Sequence, residues 1–275
     1  MEHRDRASGW KHAKLSGHEN ERLLEELVQS DIATQQRLLA AAHKENATIV
    51  DIDFGGLRET NVPSVFGDTT KSKTDMHLYL SDGTRVNVSI KKSTGGQVYL
   101  IGADRFIRGF EMQYGLKIPA DVKRAISLFW GTADDTIDIV NQYAGKNKAY
   151  ELRKHRLVAY TLGLYNYDLS RVLVDWFNDM MPYIFDFCFS RGLARNAEDW
   201  ADIVWYRNEL QENDVDEMFN ISDLGNALPR NAEYGTRTGG STIQLPFGFV
   251  QWHSPTKKIP GDMQFHHSYE KLAEL

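Results

Sequence analysis

The stretch KTDMHLYLSDGTRVNVSIKKSTGGQVYLIGADRF, residues 73–106, decides how this chain is read. Its first part, Asp75 to Leu80, alternates polar and apolar residues, the period of a half-buried strand. Ser81-Asp82-Gly83 supplies turn chemistry, since Asp-Gly tolerates the positive φ that a tight hairpin needs. Arg85 to Ile90 alternates again. Met76, Leu78 and Leu80 with Val86, Val88 and Ile90 therefore point toward a core. Asp75, His77 and Tyr79 with Asn87, Ser89 and Lys91 point the other way. Closing the hairpin brings Asp75 opposite Ser89 to Lys91. Ser93 to Gly96 is a second turn, Gln97 to Ile101 a third strand, and Asp104 to Tyr114 turns helical.

Outward from this stretch, His18 to about Ala42 reads as a helix, with Leu23, Leu24, Leu27, Ile32, Leu38 and Leu39 at three- and four-residue steps. Ala47 to Phe54 reads as a strand, and Gly55 to Ser72 as loop. Beyond Ala120 the pattern is mostly helical to Arg191, including a long apolar helix on Val172, Trp176, Met180 and Ile184 that Pro182 should kink. Glu198 to Met218 reads as an acidic helix burying Trp200, Val204 and Trp205. After Gly225, Thr242 to Trp252 reads as a strand interrupted at Pro246. Met263 to Leu275 reads as strand, then helix. Trp252 and Phe265 are expected in a core. Three segments result: 1–118, N-terminal helix and core; 119–224, a helical region packed on it; 225–275, a C-terminal β region of the same domain.

The chemistry sits on the polar face of the hairpin. A carboxylate holds a hard divalent cation through oxygen. A lysine beside it can orient a nucleophile or stabilise charge developing on a phosphate. On these residues, Asp75 and Ser89-Ile90-Lys91 followed by turn, strand and helix, the chain resembles the PD-(D/E)xK nuclease superfamily, most of all type II restriction endonucleases. The resemblance covers about residues 18 to 115. It implies an α/β fold: a mixed sheet flanked by helices, here with a large helical insertion and a C-terminal β region. It also implies catalytic roles for Asp75, Ser89 and Lys91, with Asp75 a metal ligand. Two positions depart from the motif: Thr74 stands where the family has Pro, and Ser89 where it has a carboxylate. Family members often supply a glutamate from the first helix, which points to Glu21 as the second metal ligand and catalytic carboxylate. Asp104 and Glu111 are further candidates, Asp104 as a metal ligand.

The implied function is Mg²⁺-dependent hydrolysis of double-stranded DNA, with Mn²⁺ as substitute, at a short specific sequence and by a homodimer. A structure-specific repair nuclease is the enzymatic alternative. A DNA-binding protein with a degenerate site, suggested by Ser89, is the non-enzymatic one. Lys92 is a candidate phosphate contact. Arg230, Arg237, Gln251, His253, Lys257 and Lys258 form a candidate DNA-facing lip, because Arg and Gln read guanine and adenine edges and Lys positions the backbone. The adjacent His266 and His267 point to opposite faces of a strand and so do not suggest zinc.

Composition sets the bounds. The 275 residues carry a formal net charge of -6, so a bulk polycation effect cannot drive nucleic-acid binding. Charge is nonetheless uneven. Residues 68–108 and 229–261 are each net basic, and residues 198–223 carry nine acidic side chains against Arg207. Cys188 is the single cysteine, which excludes an intramolecular disulfide and a multi-cysteine zinc site. Neither a secretory leader nor a membrane-spanning run is read in the sequence, so a cytoplasmic protein is expected.

Overall fold

The computed structural model describes residues 19–20, 22–54, 61–143, 155–210, 215–253 and 261–275. The chain forms two compact units, each discontinuous in sequence. The first comprises Met1–Thr94 with Phe189–Leu224, the second Gly95–Cys188 with Gly225–Leu275. These differ from the three contiguous segments read in the sequence.

In the first unit, helix α1 (22–30) is followed by α2 (Ile32–Ala41) and strand β1 (Ile49–Asp53). Short strands β2 (Asn61–Pro63) and β3 (Thr69–Lys71) pair as a ribbon. The expected hairpin is β4 (Met76–Leu80) and β5 (Arg85–Lys91), in register Met76 with Val88 and Leu78 with Val86. At its turn Gly83 takes φ +79°, and Asp82 accepts from the Thr84 N–H at 2.9 Å. Strands β7 (Ile203–Arg207) and β8 (Asp216–Asn220) complete a five-stranded sheet ordered β1-β4-β5-β7-β8. All neighbours are antiparallel except β5 and β7, so the sheet is mixed. Leu24, Val28, Leu38 and Leu39 of the helices pack on Met76, Leu78, Val86 and Val88 to make the core.

Two expectations fail here. The first helix is interrupted at Asp31, whose carboxylate accepts from the Ala33 and Thr34 N–H groups and caps α2. The acidic helix at 198–218 is instead a short 3₁₀ turn, Ala197–Asp199, then β7 and β8. Ile203, Val204, Trp205 and Tyr206 are all buried, so this strand has no polar face to betray its period.

In the second unit, β6 (Gly95–Gly102) leads into α3 (Ala103–Tyr114), followed by α4 (Ala120–Trp130) and α5 (Thr136–Gln142). The apolar segment forms helices Tyr167–Asp179 and Met181–Asp186, interrupted just before Pro182, and runs into a π-turn. Strands β9 (Glu233–Tyr234), β10 (Thr242–Leu245), β11 (Gly248–His253) and β12 (Asp262–Ser268) join β6 in an antiparallel sheet ordered β6-β12-β11-β10-β9. The strand expected over Thr242 to Trp252 is thus a hairpin turning at Pro246 and Phe247. The third strand of the quoted stretch, β6, pairs with β12 rather than with β5. Inner-face side chains meet the helices in an aromatic cluster: Phe106 lies 6.3 Å from Trp176, 5.5 Å from Phe187 and 5.7 Å from Phe265, ring centre to ring centre. Phe265 is fully buried as expected, and Trp252 is half-buried. Among the described residues no helix is long and apolar enough to cross a membrane.

Candidate active site

Asp75 stands at the entry of β4, where its N–H donates to Val88 O at 2.9 Å. That bond continues the hairpin ladder by one residue and turns the carboxylate toward β5. Its Oδ2 accepts from the Ile90 N–H at 2.7 Å and from the Ser89 hydroxyl at 3.4 Å. Ser89 is 1% exposed, and its Oγ accepts from Lys91 Nζ at 2.6 Å. Because Lys91 is a pure donor, the Ser89 proton is directed at Asp75. The three residues therefore form one chain of hydrogen bonds from ammonium through hydroxyl to carboxylate. Burial pushes the Asp75 carboxyl above its ordinary range, against the opposing pull of the Lys91 ammonium, the Ile90 and Ser89 hydrogen bonds and the charge of Lys73.

Further along the same face, His77 Nδ1 lies 2.7 Å from Asn87 Oδ1. The Asn87 amide nitrogen donates to Glu198 O at 3.0 Å and to Trp200 O at 2.7 Å. Its oxygen is therefore the acceptor, and His77 Nδ1 carries the hydrogen. The Asn87 N–H donates to Asp202 Oδ2 at 2.8 Å, and the Arg85 guanidinium donates to Glu198 O. Ser72 Oγ reaches Asp199 O at 3.2 Å. The turn at 197–202 is thus tied down over the polar face of β5 by side chains of the hairpin. Sequence reading placed Asn87 on this face without finding that role. Lys73 was also missed as a charge near Asp75; its only signal is the Lys71-Ser72-Lys73 run before the aspartate.

The other candidates separate. Glu21, Lys257 and Lys258 lie outside the described residues. Lys92 follows the last residue of β5. Asp104 belongs to the second unit, in the first turn of α3, where Thr132 Oγ1 donates to it at 3.2 Å. Glu111 of that helix pairs with Lys123 at 2.7 Å. Arg230 and Arg237 are exposed. Gln251 Nε2 donates to Gln264 Oε1 at 2.8 Å, and His253 is in register with Asp262.

A divalent cation is the group this constellation suggests. Asp75 Oδ2 is occupied by protein donors, whereas Oδ1 accepts from none among the described residues. Among those residues no cluster of three or more His, Cys, Asp and Glu could hold a metal ion. Magnesium is commonly held by only one or two carboxylates, the rest of its shell being water and substrate phosphate. Asp75 with one further carboxylate fits that pattern, whereas an all-protein cage does not.

No family model matches the chain, and no curated protein matches it. Among solved structures it is similar to a crystal structure of the restriction endonuclease MspI in complex with its cognate DNA. The TM-score is 0.46 and the identity 14%, over 90% of this chain and 83% of that one.

Proposed function

We propose that the chain is a metal-dependent endonuclease that hydrolyses phosphodiester bonds of double-stranded DNA at a short specific sequence. The observation that carries this reading is the Asp75–Ser89–Lys91 chain on the open end of the hairpin. In it, Asp75 would hold Mg²⁺, with Mn²⁺ as substitute, and Glu21 would be the second carboxylate in preference to Asp104, which already accepts from Thr132. When bound, the cation lowers the pKa of a water and balances charge on the phosphate. Ser89 keeps the Lys91 ammonium in place instead of binding metal. Lys91 orients the attacking water and stabilises the negative charge that develops on the phosphoryl oxygens. Two scissions need two such sites, so the active species is a homodimer.

The test is incubation with plasmid and long linear DNA in Mg²⁺ and in EDTA, beside Lys91→Ala. Discrete fragments that require Mg²⁺ and fall by a factor of about a hundred to a thousand in the variant are expected. Undiminished cutting by Lys91→Ala removes the mechanism. Binding of DNA without cutting under any metal favours the degenerate-site reading, for which the absence of a carboxylate at Ser89 is the supporting observation.

A further inference from the structure

Asn20, two residues ahead of α1, is 1% exposed. A carboxamide so buried needs partners at both of its ends. It finds them on one short segment far along the chain. Its Nδ2 donates to Arg207 O at 3.1 Å, and its Oδ1 accepts from the Glu209 N–H at 2.6 Å. Arg207 is the last residue of β7. Its neighbour β5 runs parallel to it, with Lys91 in register with Tyr206. Both strands therefore stop at the same end of the sheet. Asp75 belongs to that end too, through its bonds to Ser89 and the Ile90 N–H. The clamp thus ties the chain entering the first helix to the end of the sheet that carries Asp75, Ser89 and Lys91.

The anchor that Asn20 grips is itself held firmly. The Arg207 guanidinium pairs with Glu209 and, at 2.9 Å, with Asp216 Oδ2. Arg37 of α2 reaches the same oxygen at 2.7 Å, and Trp205 Nε1 donates to Asp216 Oδ1 at 2.9 Å. Further along the helix, Leu24 and Val28 are buried in the core against the sheet. Such apolar contacts are non-directional and hold the helix down without setting its position along its axis. Hydrogen bonds are directional, and the two at Asn20 set that position. We infer that Asn20 is a positioning residue of the candidate site. It fixes where the first helix begins, and so the point from which the next residue in the chain, Glu21, delivers the second carboxylate. This rests on the nuclease reading with Glu21 in that role; Glu21 itself lies outside the described residues. A clamp that served the fold alone would show the same two bonds. The roles part on whether Asn20 acts through Glu21.

The experiment is a double-mutant cycle of Asn20→Ala with Glu21→Gln in the full chain. Its readout is Mn²⁺ affinity, from electron paramagnetic resonance of the free ion, beside plasmid cleavage in Mn²⁺. Fold is compared by circular dichroism and urea unfolding. Asn20→Ala is expected to weaken Mn²⁺ binding by about tenfold or more, as loss of a group that orients a ligand does. In the Glu21→Gln background the same replacement should change the affinity by less than about twofold, because the group it positions is gone. Equal falls in both backgrounds make the clamp merely structural and overturn the inference. Affinity unchanged by Asn20→Ala overturns it as well. Where Asn20→Ala fails to fold, Asn20→Asp keeps the acceptor for the Glu209 N–H and replaces the donor to Arg207 O. The same cycle run with Asn20→Asp then decides by the same criterion. Wild type that binds Mn²⁺ and cuts, with an additive cycle, loses this inference alone. Wild type that neither binds Mn²⁺ nor cuts loses the nuclease reading, and this inference with it.

Discussion

At the scale of single residues, Asp75 shows the tension between stability and use. Burial raises its pKa, and the nearby donors only partly offset that. In the proposed mechanism the useful form is the carboxylate. The acid limb of kcat/KM is therefore expected above the ordinary aspartate value of about 3.9. Ser89→Ala removes a bond that favours the carboxylate and should move the limb further up, which a pH–rate profile measures. It also frees Lys91 Nζ from the 2.6 Å contact that positions it. The expected loss of cleavage at the optimum is on the order of a hundredfold. The stability effect of Asp75 has the opposite sense. A carboxyl whose folded pKa is raised contributes stability fully present below its unfolded value and lost as pH rises through the folded one. Asp75→Asn keeps an acceptor for the Ile90 N–H. It should melt higher than wild type in EDTA at neutral pH, with the difference closing in acid. An equal or lower melting temperature at neutral pH contradicts the buried-carboxylate account.

At the scale of elements, the hairpin was readable because each of its strands has one apolar and one polar face, and the Asp82-Gly83 turn fixes their register. Strand β7 was not readable, because it is buried on both sides between β5 and β8. The site divides in the same way. Asp75 and Lys91 are close through one turn and follow from alternation. The Asn87 clamp joins residues 111 and 113 positions apart, which no local period encodes. Asn87→Ala cuts both amide bonds to the 197–202 turn, of which Glu198 O keeps the Arg85 guanidinium while the half-buried Trp200 O loses its Asn87 donor. A loss of about 1–3 kcal/mol in urea unfolding is expected, alongside a weakened site. The sheet of the second unit carries its own pH signature. Burial, then the charge of His253, lowers the pKa of His266, and Asp262 faces His253 across the strands. A histidine with a depressed folded pKa contributes stability present above its unfolded value of about 6.5 and lost as pH falls through the folded one. His266→Gln should therefore flatten the fall in melting temperature between neutral pH and pH ~5. An unchanged slope would show that His266 is not the group responsible.

At the scale of the whole molecule, charge is what separates a specific reader from a non-specific binder. The chain carries a net charge of -6, so counter-ion release over its whole surface cannot hold it on DNA. Under the proposed function binding comes from local basic groups, for which the exposed Arg230 and Arg237 are candidates. Each phosphate neutralised contributes about 0.9 to the slope of log K against log salt for duplex DNA. The double variant Arg230→Ala with Arg237→Ala should therefore reduce that slope by about 2, measured by fluorescence anisotropy in EDTA across a salt series. Its preferred sequence should stay as in wild type, since phosphate contacts position the protein and carry no base information. A double variant with an unaltered slope would move the phosphate contacts elsewhere. A double variant with an altered motif would make the arginines readers of guanine, which forms a bidentate pair with the same guanidinium.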